Sequence, residues 1–238
     1  MKHAGTKTIE TARLILRRLE LTDAEMMFRN WTGDDKVTRF LRWDAHTTID
    51  DTKNMIQQWV DNYQYDSTYY WGMYLKKGTD SACAPTRIFC ENSCCRNAPR
   101  SLATTHSEQF PIEKNSEMIG SIGVTITSEY DFKGELGYKI GSHWWNQGYI
   151  SEAAEAVINY MFHNTDIERI SAFCSVENPA SRKVMETIGM HYESLVIIKT
   201  HDNFTATTTF FRCGGYSKFF KTLSPLNICR AERLGTFR

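Results

Sequence analysis

The chain has 238 residues, and its 28 Lys and Arg balance 28 Asp and Glu. A net charge of zero leaves no global field to draw in nucleic acid or an anionic membrane, so neither is expected as a partner. With 41% hydrophobic and 13% aromatic residues, it can bury one sizeable core, and one domain is expected although the length allows two. No apolar run approaches the ~20 residues that span a bilayer, and Met1 to Lys7 lacks the apolar stretch of an export signal. A soluble, cytoplasmic protein is expected, and an odd count of seven cysteines argues for reduced thiols over a disulfide framework.

Taken in chain order, residues 11–19 alternate Leu14 and Leu16 against Arg13 and Arg17, with Ile15 on the reverse face, which predicts a half-buried strand. Thr22-Asp23-Ala24-Glu25 reads as a capping box, after which Ala24, Met27, Phe28 and Trp31 recur at helical spacing. A second helix is expected over residues 34–40. A third opens at Thr48-Ile49-Asp50-Asp51 and carries Met55, Ile56, Trp59, Val60 and Tyr63 on one face. Residues 69–76 read as a strand. Strands return over 118–128, where Ile122, Val124 and Ile126 alternate, and over 133–140, where Leu136, Tyr138 and Ile140 do. A helix then runs to about Phe162 with Ala153, Ala156, Val157, Tyr160 and Met161 as its core stripe. The strand 169–176 follows, with Cys174 a core thiol beside Ile170, Ala172 and Val176. Asn178 as N-cap, Pro179 at the first helical position and Gly189 beyond the end frame a helix over 180–188. Strands 190–200 and 204–211 are expected to close the fold as a hairpin around His201-Asp202-Asn203. No internal repeat is present.

Two segments break the pattern. Residues 79–116 hold no sustained period, and loops of that length are uncommon inside compact domains, so the segment reads as an insert. Its Cys83, Cys90, Cys94 and Cys95 lack the paired C-x2–4-C spacing of common zinc modules, and His106 is distant. No metal is therefore expected, with a zinc site as the alternative reading. Residues 213–238 form an atypical tail, locally basic, which reads as solvated or, alternatively, as a partner-binding element.

The stretch Trp144-Trp145-Asn146-Gln147-Gly148-Tyr149-Ile150-Ser151-Glu152-Ala153 carries the most information about function. A glycine-bearing loop runs there straight into an amphipathic helix. Its first amides lack intrahelical partners, so a pyrophosphate would be favoured at that end. In the order strand, loop, helix, strand, Asn178-x-x-Ser181, the chain resembles the GNAT superfamily of acetyl-CoA-dependent N-acetyltransferases. Within it, the resemblance is to the branch of Rim-type ribosomal-protein N-terminal acetyltransferases, and it covers roughly residues 8–78 and 117–200. Gly148 holds the place of the superfamily's central glycine. Trp145 and Ile150 depart from the flanking Gln or Arg and Gly or Ala, and bulky Ile150 is expected to narrow the pyrophosphate cradle.

The resemblance implies a mixed α/β (α+β) fold, a largely antiparallel twisted sheet flanked by helices with parallel strands splayed at the cofactor. It implies acetyl-CoA as co-substrate, held by Ile140, Gly141, Asn146, Gln147, Gly148, Tyr149, Ile150, Ser151, Asn178 and Ser181. A backbone amide near Ile140 to Gly141 would polarise the thioester. Many members carry a tyrosine seven residues after the asparagine, where this chain has Met185, leaving Ser181 or water as the alternative proton donor. His143 reads as a simple loop residue or a substrate contact. Glu135 is the candidate base, because strand alternation sets Glu135, Gly137 and Lys139 opposite Leu136, Tyr138 and Ile140. An ion pair with Lys139 or contact with solvent is the structural alternative. The expected function is transfer of acetyl to a primary amine, first choice a protein N-terminus. The alternatives are a small amine such as a polyamine or antibiotic, or a catalytically impaired acyl-CoA-binding protein. Oligomeric state is left open.

Overall fold

Strand-forming alternation in the chain resolves into one eight-stranded sheet in a computed structural model that describes residues 1–41, 43–76, 116–199 and 205–214. The strands are β1 (Ile9–Glu10), β2 (Leu14–Arg17), β3 (Tyr70–Leu75), β4 (Met118–Ser128), β5 (Lys133–Ile140), β6 (Arg169–Ser175), β7 (His191–Lys199) and β8 (Thr205–Gly214). Their spatial order is β1-β2-β3-β4-β5-β6-β8-β7. Every neighbouring pair is antiparallel except β5 and β6. A parallel pair needs a crossover, which the helix α4 (Tyr149–Asn164) provides.

The helices α1 (Ala24–Met27), α2 (Asp35–Thr38), α3 (Ile49–Asn62) and α5 (Pro179–Thr187) complete the layers. Leu14, Leu16, Trp71, Ile122 and Leu136 pack with Ala153, Val157 and Met161 of α4 in one core. Leu19, Met27, Trp31, Ile56, Tyr70 and Met118 form a second core under α1 and α3. Helices thus cover both faces of the sheet, as a two-faced hydrophobic sheet requires. Helix α3 starts where its capping box predicts: Thr48 Oγ1 accepts from the Asp51 amide at 3.3 Å, and Asp51 Oδ2 accepts from the Thr48 amide at 3.0 Å.

Three local readings change. Thr22 is not a cap, because Asp23 is buried and paired with Arg17 at 2.8 Å, where its Oδ2 also accepts from the Glu20 amide at 2.8 Å. The turn therefore begins at Leu21 as a 3-10 turn, and the segment after α1 continues as a π turn over Phe28–Thr32. Val176 lies past the end of β6 and is 50% exposed, while Cys174 is buried with Ile170 and Ala172 as expected. Strand β8 runs on through Cys213 and Gly214, which pair with Ile170 and Arg169, so it crosses the expected boundary at residue 212. Of the expected insert over 79–116 all but Ser116, the expected turn at His201-Asp202-Asn203, and of the expected tail over 213–238 all but Cys213 and Gly214 lie outside the described residues.

Candidate active site

The parallel pair opens. Strands β5 and β6 pair only at Lys133 with Arg169, Gly134 with Ile170 and Glu135 with Ser171, although β5 continues to Ile140 and β6 to Ser175. Beyond Glu135 one edge of β5 has no strand beside it among the described residues. The Gly141 amide donates to Ile119 O at 2.9 Å on the β4 side. Alternation therefore directs Lys139 and Gly141 toward β4 and turns the Tyr138 and Ile140 amides into the opening. Of Ile140 and Gly141, near which one amide is expected to meet the thioester, only Ile140 turns its amide to the gap, and the Tyr138 amide faces it too. The Ile140 carbonyl is engaged by Trp145 Nε1 at 3.0 Å.

The loop at the top of the opening is fixed from both ends. Asn146 and Gly148 take the left-handed conformation, at φ 60° and 79°, a region that glycine enters without the Cβ penalty. This double reversal presents the first amides of α4, those of Tyr149, Ile150 and Ser151, which lack intrahelical acceptors and carry the positive end of the helix dipole. At the loop's start, Ser142 Oγ donates to Asp34 Oδ2 at 2.7 Å. Near its end Arg13 acts as a clamp. Its Nε donates to Glu152 Oε2 at 2.7 Å, its amide to Glu152 Oε1 at 2.8 Å and its Nη1 to Gln147 O at 3.0 Å, while the guanidinium lies 4.4 Å over the Tyr149 ring. Burial, the largest single influence on Glu152, pushes its carboxyl up. Hydrogen bonds from Thr11 and Arg13, with the guanidinium charge, outweigh it and hold the group below the ordinary carboxylate value.

Sequence reasoning missed Arg13, placing it on the polar face of a strand. The signal was Glu152, an acid next to the cofactor loop that needed a cation brought from elsewhere in the chain. Ile150 does not narrow the cradle, because its side chain packs into the core at 6% exposure, leaving its backbone amide at the loop. The Gln147 side chain folds back to His143 O at 3.0 Å, and the His143 ring sits edge-on to Trp144 at 5.2 Å.

Across the opening, Asn178 Oδ1 accepts from the Ser181 amide at 3.1 Å, capping α5. The Tyr138 hydroxyl spans the gap, donating to Ser181 O at 3.1 Å and lying 2.9 Å from Ser181 Oγ. Burial pushes the Tyr138 phenol well above its usual range, only partly countered by the bond to Ser181, so it stays protonated. Met185 is buried in the core. The phenol near Ser181 thus comes from β5 and not from α5. Glu135 is the last β5 residue paired to β6, half-buried opposite Thr125 and Ser171. Lys139 stands four residues on, roughly 13 Å along the strand, and its ammonium reaches the Tyr70 hydroxyl at 3.4 Å.

Residues 13–191 match the model of the acetyltransferase (GNAT) domain. An N-acetyltransferase of Bacillus licheniformis, p20, is 24% identical over 80% of this chain and 85% of its own. The ribosomal-protein-serine acetyltransferase of Escherichia coli is 30% identical over 33% of this chain and 44% of its own. The microcin C7 self-immunity acetyltransferase MccE, solved with acetyl-CoA and AMP, superposes with a TM-score of 0.63 at 15% identity, covering 86% of this chain and 94% of that one. The chain belongs to the GNAT acetyltransferase family, and it is an acetyl-CoA-dependent N-acetyltransferase. A glycine loop at a helix N-terminus and an open β5 edge fit a pyrophosphate and a pantetheine arm respectively. Among the described residues, no group of His, Cys, Asp and Glu is placed to hold a metal, and no helix is long and apolar enough to cross a membrane.

Proposed function

We propose that the acceptor is a protein N-terminal α-amine and that Glu135 removes its proton. The observation carrying this reading is the position of Glu135 at the apex of the opening, the last residue of β5 paired to β6 and three residues before Tyr138. Similarity to a ribosomal-protein-serine acetyltransferase supports the acceptor class. Only the free amine attacks a thioester. At pH 7, deprotonation costs about 1 kcal/mol for an α-amine and nearly 5 for a lysine, so an α-amine suits a site with one carboxylate.

The amine nitrogen attacks the thioester carbonyl carbon while the Tyr138 and Ile140 amides receive the developing negative charge on oxygen. Before that attack the α-ammonium gives its proton to Glu135, directly or through one water, and the nitrogen's second proton is lost to water as the amide forms. The C–S bond then breaks, and the thiolate leaves unaided or takes a proton from the Tyr138 and Ser181 pair. Gly148 and the first amides of α4 hold the pyrophosphate, while Asn178 and Ser181 line the far wall. Most of the rate comes from holding the two reactants in line.

Steady-state rates of Glu135→Gln against a serine-initiated peptide and a lysine side-chain amine test the assignment. The basic amine should lose about 100-fold or more and the peptide far less. The gap should close as pH rises toward 10 and the amine deprotonates itself. Equal losses for both acceptors at every pH would make Glu135 a positioning group. A parent enzyme that turns over polyamines and ignores peptides would overturn the acceptor class.

A further inference from the structure

On the α3 face of the sheet, a cavity of about 470 Å³ opens between Trp59, the approach to β3 and the second half of β4. Three observations define what it can hold. Thr125 lines it and is the cross-strand neighbour of Glu135, so the cavity begins beside the residue proposed as base. Its floor is a strand edge. The Val124 amide donates to Tyr69 O at 2.8 Å, and alternation turns the Ile126 amide and carbonyl toward that same edge, past the first residue of β3. Its wall is the Trp59 and Tyr70 pair, stacked at 3.8 Å and 5°. Glu129 is the single carboxylate among its lining residues, which include no Lys, Arg or His.

Among the described residues, two nearby cations have partners of their own. Lys133 is paired with Asp131 at 2.9 Å, and Lys139 is turned to the Tyr70 hydroxyl. His3 Nε2 lies 3.4 Å from Glu129 Oε1, and the Glu129 side chain remains 61% exposed. A strand edge is the complement of an extended peptide, which adds main-chain hydrogen bonds to it, whereas a small amine has no use for one. An aromatic wall and one carboxylate are the complement of a cation. Glu129 lies one residue past the end of β4 and four positions after Thr125, so the chain can set them at most roughly 14 Å apart. An extended peptide with its α-amine at Glu135 places the side-chain charge of its second or third residue about 10–13 Å away.

We propose that this cavity binds the N-terminal segment of the acceptor polypeptide and selects Arg or Lys at its second or third residue, with Glu129 as the specificity-determining carboxylate. The inference rests on the α-amine reading above, and the experiment separates the two. Calorimetry in the presence of CoA compares two product-like probes, acetyl-Ala-Arg-Ala amide and acetyl-Ala-citrulline-Ala amide, which differ only in charge. Turnover is measured in parallel on the same peptides with free N-termini. The arginine probe should bind about fivefold tighter. Glu129→Gln should bring the ratio to about one with acetyl-CoA affinity unchanged. A ratio near one in the parent enzyme, or one that survives Glu129→Gln, overturns the proposal even if both peptides are acetylated. Arginine-selective binding without turnover of the free peptides upholds the cavity and overturns the α-amine reading.

Discussion

Gly148 holds φ at 79°, and a Cβ placed there would meet only Arg13 Nη2, at 3.5 Å. Steric room within the protein is therefore not what requires glycine. A β-branched residue would pay the left-handed backbone cost, about 1–2 kcal/mol, and would put carbon where the loop's amides must approach a phosphate. Gly148→Val is expected to lose acetyl-CoA binding by calorimetry while its melting temperature falls only a few degrees. Arg13 and Glu152 act on the same loop from behind. The Glu152 carboxyl is held below its ordinary value. Its stabilisation is therefore complete above the unfolded value of ~4.3 and is lost as pH falls through the folded one. Glu152→Gln should cost about 1.5–3 kcal/mol at pH 7, as loss of a charge-assisted network does. Denaturant titrations should show the difference from the parent shrinking as pH drops toward ~3.

At the element scale, the decisive event is a pairing that stops. Strands β5 and β6 share three residue pairs and then diverge, while β4 stays paired to β5 as far as Gly120 with Ile140. The Lys139 and Gly141 amides are thus held by β4, whereas those of Tyr138 and Ile140 face the opening. Hydrogen exchange read by NMR should find Tyr138 and Ile140 fast without ligand and slowed at least tenfold by acetyl-CoA, with Lys139 and Gly141 protected throughout. Uniform protection before ligand is added would mean that the edge is already covered.

At the scale of the molecule, we propose that residues 79–116 are an insert that the sheet can do without. The Leu75 amide donates to Glu117 O at 2.9 Å, so the two strands flanking the insert already lie side by side where it leaves and returns. Closing a long loop costs only about 0.6 kcal/mol more per doubling of its length. A chain joining Gly78 directly to Glu117 should fold, melt at the same temperature or higher, and keep its thermal shift with acetyl-CoA. If that chain fails to fold, or if metal analysis of the full chain finds bound zinc, the segment is structural.

The sequence by itself determined the elements and their order, because side-chain periods of 2 and 3.6 and the caps at Thr48, Asn178 and Gly189 are local chemistry. It also located the glycine loop ahead of an amphipathic helix, a candidate anion site through backbone groups that every helix has. Only the tertiary structure decided what those residues face. The Ile150 side chain turned inward to the core, the Gly141 amide was consumed by Ile119, and Asp23, paired with Arg17, took the Glu20 amide and moved the cap away from Thr22. Arg13 became a clamp through a carboxylate 139 positions later. The Tyr138 phenol reached Ser181 from across the opening, 43 positions away. Such partners are chosen by strand register and helix packing, and no window of neighbouring residues contains them.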